Sequence, residues 1–99
     1  MREIIISTRA QKNINNLFEY LELKWSEKVR KEFALKLYSV VKTIRVNPES
    51  FPKSDINSNY NKCVITKQST LYYRYNSKQV RVLSLFDTRQ NPNKIKKIK

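Results

Sequence analysis

The chain has 99 residues, 39% hydrophobic and 11% aromatic, which is enough for one packed domain, too little for two, and too apolar for a chain that stays disordered. It contains no histidine and one cysteine, Cys63; this excludes histidine-based nucleophilic catalysis and an internal disulfide and leaves a metal almost nothing to bind, so neither metal nor cofactor is expected. Twenty-one Lys and Arg against eight Asp and Glu give a net charge of +13, the signature of a partner that carries phosphates or an acidic surface.

In chain order, residues 2–7 form a β-branched run suited to a strand buried on both faces. Ser7 or Thr8 can cap the next element, because a hydroxyl there accepts from an orphan amide of the first helical turn. Over residues 9–24, Ile14, Leu17, Phe18 and Leu21 recur at helical spacing and predict an amphipathic helix. Trp25 and Ser26 interrupt it. Trp25 reads as a packing residue, and Ser26, followed by Glu27, reads as the N-cap of a second helix carrying Val29, Phe33, Leu37, Val40, Val41 and Ile44. So short a junction makes the pair an antiparallel hairpin, which Asn47-Pro48 terminates.

Residues 48–61 are rich in Pro, Ser and Asn and read as an exposed loop with Phe51 and Ile56 as anchors. Three strands come next, over residues 62–67, 71–75 and 79–86, joined by hairpin-short turns into an antiparallel meander. Cys63 falls in the first of them as a small buried hydrophobe. The chain has no glycine, so Asn76 is expected to supply whatever positive φ the last turn needs. The predicted fold is α+β, in the order β-α-α-β-β-β, with the helical hairpin on one face of a small, mainly antiparallel sheet. In the last strand Val80, Val82 and Phe86 alternate with Leu83 and Leu85, so alternation alone does not say which face meets the helices. Residues 1–92 read as one domain and 93–99, with four lysines and no acid, as a basic tail.

The charge is uneven: residues 1–44 hold nine basic and five acidic side chains, residues 45–99 twelve and three. No apolar run approaches the roughly 20 residues of a membrane span. A soluble, unsecreted protein without a membrane partner is expected.

This element order, with a Leu-Tyr-Tyr-Arg strand at 71–74 and a Phe-Asp-Thr-Arg-Gln-Asn-Pro ending at 86–92, resembles the RelE/ParE superfamily of toxins from bacterial type II toxin–antitoxin modules. The resemblance covers almost the whole chain. It implies a cytoplasmic protein neutralised by a cognate, acidic antitoxin in an oligomeric assembly. RelE-like members resemble ribosome-dependent, metal-independent messenger RNA endonucleases, and ParE-like members look like poisons of DNA gyrase; fold similarity does not choose between them.

For a nuclease, cations must surround the scissile phosphate and an acid must protonate the leaving group. Arg74, Arg81 and Arg89 are the candidates to converge on such a phosphate. Lys62, Lys67, Arg89, Gln90 and Lys94 are candidates to touch a target or nucleic acid. The resemblance implies a tyrosine or histidine near the end of a RelE-like nuclease, whereas the last tyrosine here is Tyr75, and Tyr72 or Tyr73 would have to stand in. A tyrosine in a sheet is more often core. That departure favours the gyrase poison, with the messenger RNA endonuclease and a non-toxic nucleic-acid-binding module as alternatives. Asp87 is read as ending the strand or bracing an arginine.

Overall fold

The computed structural model describes residues 2–90. Strand β1 (Glu3–Ile6) leads into helices α1 (Thr8–Lys24) and α2 (Glu27–Val46), a 3-10 turn (Pro48–Ser50), and strands β2 (Asn61–Val64), β3 (Ser69–Tyr75) and β4 (Gln79–Asp87). The sheet order is β1-β4-β3-β2, with β1 parallel to β4 and the other pairs antiparallel. The α+β architecture read from the sequence is therefore the one found. The tail at 93–99 lies outside the described residues.

Both helices start where hydroxyls cap them. Ser7 Oγ accepts from the Ala10 amide at 3.0 Å and Ser26 Oγ from the Val29 amide at 3.1 Å, each satisfying a first-turn N–H that has no intrahelical acceptor. Ala10, Ile14, Leu17 and Leu21 of α1 and Phe33, Leu37 and Ile44 of α2 are buried against Leu71, Tyr73, Val80, Val82 and Leu85 of the sheet. Phe18 and Phe33 meet edge to face at 6.2 Å across the helical hairpin, the arrangement ring quadrupoles favour.

The ambiguity of the last strand has a physical cause. Tyr72 pairs with Ser84 but Tyr73 pairs with Val82, so Leu83 is an extra residue in β4. Such a β-bulge reverses the alternation. Val80 and Val82 before it, and Leu85 after it, consequently all face the helices, whereas Tyr72, Ser84 and Phe86 are buried outside that core on the opposite face.

Four expectations need correction. β1 is an edge strand with Glu3 and Ile6 exposed, not a strand buried on both faces. β2 stops at Val64, and Lys67 falls in the turn that Thr66 organises by accepting from the Gln68 and Ser69 amides. Trp25 is 61% exposed and does not pack, because α1 closes with the Trp25 and Ser26 amides bonded to the Leu21 carbonyl, leaving the indole outside the helix–helix contact. No described residue has positive φ. Asn76 instead shapes its turn with its side chain, Oδ1 accepting from the amides of Lys78 at 2.8 Å and Gln79 at 2.9 Å, an Asx turn that needs no left-handed residue. Phe51 anchors the 48–61 segment against the core, as expected, while Ile56 is half-buried outside it. Cys63 is buried, and that burial pushes its thiol up to about 11.

Candidate functional site

The β3–β4 hairpin carries cations at both of its ends. At the turn end, Arg74 and Arg81 are direct cross-strand partners on the face away from the helices. They line a cavity of about 170 Å³ with Tyr75, Asn76 and Gln79. Arg81 makes one weak contact, from its guanidinium to Gln79 Oε1 at 3.5 Å. The register thus sets two of the three candidate arginines side by side.

Arg89 does not join them. Asp87 lies six positions beyond Arg81 along β4, roughly 20 Å at strand rise, and pairs with Ser69 on the helix side of the sheet. There the carboxylate accepts from Arg89 Nε at 3.0 Å, from an Arg89 terminal nitrogen at 2.8 Å, from the Arg89 amide at 2.9 Å and from the Ser69 hydroxyl. Burial alone pushes the Asp87 carboxyl up, but the bonds from Arg89 and Ser69 outweigh it and hold the group below the usual carboxylate range. The Asp87 carboxylate in turn holds the Arg89 guanidinium up against its own burial. The bracing role read for Asp87 is the one found, and it commits Arg89 to structure.

The other candidates are scattered. Lys62 lies beside Tyr72 on the face away from the helices and bonds Asp55 at 3.3 Å. Lys67 is exposed in the β2–β3 turn and Gln90 is exposed past β4. Lys94 lies outside the described residues. Of the tyrosines in β3, Tyr73 is fully buried and its hydroxyl donates to the Pro48 carbonyl at 2.5 Å. Tyr75 lies under the Arg2 guanidinium at 5.6 Å. Tyr72 is 4% exposed, and burial pushes its phenol up while Lys62 partly offsets the shift. Sequence reasoning missed a second basic group beside the Arg74–Arg81 pair: Arg2, Arg45 and Lys78 surround a cavity of about 620 Å³ with Val46 and Ser77. Arg2 and Arg45 are 43 residues apart, and no spacing rule links them.

Comparisons with known proteins agree with this fold. No curated protein matches the chain. A structure described as the chromosomal ParDE toxin–antitoxin system from P. aeruginosa is similar with a TM-score of 0.74 at 9% identity, covering 88% of this chain and 96% of that one. The YoeB/ParE toxin from Agrobacterium tumefaciens is similar with a TM-score of 0.63 at 11% identity, over 86% and 96% of the two chains. The E. coli DinJ-YafQ toxin–antitoxin complex gives 0.62 at 16% identity, over 91% and 96%. At these identities the likeness is one of fold. The family model described as the ParE toxin of type II toxin–antitoxin system, parDE, matches residues 4–92, reaching from within β1 to past the end of β4, and on that match the chain belongs to the ParE toxin family of type II toxin–antitoxin systems.

Proposed function

We propose that this toxin arrests growth by poisoning DNA gyrase in the cytoplasm and is silenced by an acidic antitoxin. The match of residues 4–92 to the ParE toxin family carries this reading. The geometry supports it over message cleavage. Metal-independent RNA cleavage needs several cations on one phosphate and an acid at the leaving oxygen. Here Arg89 is bonded to Asp87 and stands on the opposite face from Arg74 and Arg81. The Tyr73 hydroxyl is spent on the Pro48 carbonyl, and the Tyr72 phenol is buried with its proton held more tightly than usual. A poison that traps another enzyme's intermediate needs complementary surface and no reactive group of its own.

The antitoxin reading draws on charge and on apolar exposure. A net charge of +13 favours an acidic partner. Leu35 and Tyr38 on α2 and Leu23 and Trp25 at the hairpin tip are each more than 60% exposed, apolar area of the kind that a segment folding on binding covers.

Purified toxin added to a gyrase supercoiling reaction is expected to inhibit it and to accumulate cleaved, protein-linked DNA. Intact supercoiling activity together with cut transcripts in a translation extract would overturn the proposal in favour of a nuclease. Inactivity in both assays, with no growth arrest on expression, would leave a non-toxic nucleic-acid-binding module.

A further inference from the structure

Five cations from separate elements gather at the turn end of the β3–β4 hairpin. Arg2 precedes β1, Arg45 closes α2, Arg74 and Arg81 lie on β3 and β4, and Lys78 is in the turn between them. The two cavities they line, of about 170 and 620 Å³, share that turn. None of the five makes an ion pair among the described residues, whereas Arg30, Lys31, Lys62 and Arg89 do. The acid nearest in register is Glu3, opposite Gln79 on β1.

Two of the guanidinium groups are held with their ends available. Arg2 Nε donates to the Asn76 carbonyl at 2.7 Å while the group stacks on Tyr75, and Arg45 Nε donates to the Arg2 carbonyl at 2.7 Å. Each bond uses Nε, so both terminal nitrogens remain to form the two-pronged contact that suits a phosphate. The Asn76 carbonyl is available to Arg2 because the Asn76 side chain has replaced it as the acceptor for the Gln79 amide. Arg74 and Arg81 add a second observation. Like charges directly opposite on an antiparallel pair repel, and no acid among the described residues relieves this pair. An anion between the two would.

We propose that this end of the molecule docks on the phosphodiester backbone of duplex nucleic acid. Five cations across two open cavities exceed what one phosphate can engage and fit a polyanion. An acidic peptide would need apolar anchors as well as charge, and Val46 is the one aliphatic side chain lining either cavity, Tyr75 being capped by Arg2. The exposed apolar residues Leu23, Trp25, Leu35 and Tyr38 line neither cavity. The inference does not depend on gyrase, since the contact is with nucleic acid itself.

The test is fluorescence anisotropy of the purified full chain with a labelled 20-base-pair DNA duplex over a series of salt concentrations, without gyrase or antitoxin. Wild type is expected to bind with an affinity that falls linearly on a log–log plot against salt. R74Q/R81Q, which removes no structural bond beyond the weak one to Gln79, is expected to weaken binding about tenfold or more at low salt and to reduce the slope by about 2. R2Q/R45Q/K78Q should also weaken binding about tenfold or more and reduce the slope by about 3, with circular dichroism confirming that it folds. K12Q/K28Q/K36Q removes as much charge from the helices and should leave both affinity and slope nearly unchanged. No binding by wild type at low salt, or equal losses in the hairpin-end and helical variants, would overturn the proposal. An RNA duplex of the same length tells which polymer is preferred, and preference for either supports a backbone site. Wild-type inhibition of gyrase without any duplex affinity would refute this site while leaving the gyrase reading intact.

Discussion

Asp87 is buried at the end of β4 with four donors aimed at its carboxylate, and losing one partner of such a group costs more than the pair contributes when complete. Arg89→Ala is therefore expected to destabilise the fold by about 2–3 kcal/mol, read as a lower denaturant midpoint. The same group sets an acid limit. Because its folded value lies below the unfolded value of about 3.9, the unfolded chain takes up the proton first on acidification. Its contribution is full above about pH 4 and lost as pH falls through the folded value. Asp87→Asn should be less stable than wild type at neutral pH, with the difference shrinking below pH 4 in urea titrations. Arg81→Glu should act in the opposite direction, since it replaces repulsion from Arg74 by attraction. A gain of about 0.5–1 kcal/mol is expected, visible as a higher Tm. At this scale the residue types at the site were legible, but their pairings were not. Arg89 looked available because a bonded guanidinium and an unbonded one have the same letter.

Helix α1 does more than cover the sheet. β1 pairs with β4 only as far as Val82, and beyond that point α1 and its cap continue the ladder. The Ser7 hydroxyl donates to the Leu83 carbonyl at 2.9 Å, and the Leu85 amide donates to Asn13 Oδ1 at 3.1 Å. The β4 backbone groups left without a partner where β1 ends are thereby satisfied from the helix and its cap, which aligns α1 along β4. Asn13→Ala should leave the Leu85 N–H without its acceptor and cost about 1–2 kcal/mol, with faster amide exchange at Leu85. On α2, Leu35 and Tyr38 are exposed, and Leu35→Glu with Tyr38→Glu should change stability by no more than about 0.5 kcal/mol. If the antitoxin covers this face, its affinity should fall tenfold or more in a titration by calorimetry. Unchanged affinity would place the antitoxin elsewhere. Helix caps and helical stripes were readable because both are local. The β3 boundary was misplaced by two residues because Ser69 joins the strand through pairing with Asp87, a contact 18 residues distant.

Across the whole molecule the excess of 13 positive charges is offset by few ion pairs: four are found among the described residues, one of them buried on its acidic side. Self-repulsion then works against the compact state, and added salt should relieve it. Raising sodium chloride from 20 to 300 mM is expected to raise stability by about 1 kcal/mol, or 4–8 °C in Tm for a domain of this size. A fall in Tm would mean that attraction dominates the surface. The sequence by itself determined the element order, the Ser26 cap of the second helix, the absence of histidine chemistry and the basic character of the second half, because each depends on residue type or on spacing within a few turns; the first cap it narrowed to Ser7 or Thr8, and the structure shows Ser7. The tertiary structure alone decided that Leu83 is a bulge, that Arg89 belongs to Asp87, and that Arg2, Arg45 and Lys78 stand beside Arg74 and Arg81. Register and the meeting of distant chain segments depend on which groups satisfy one another in the packed state, and no local pattern encodes that.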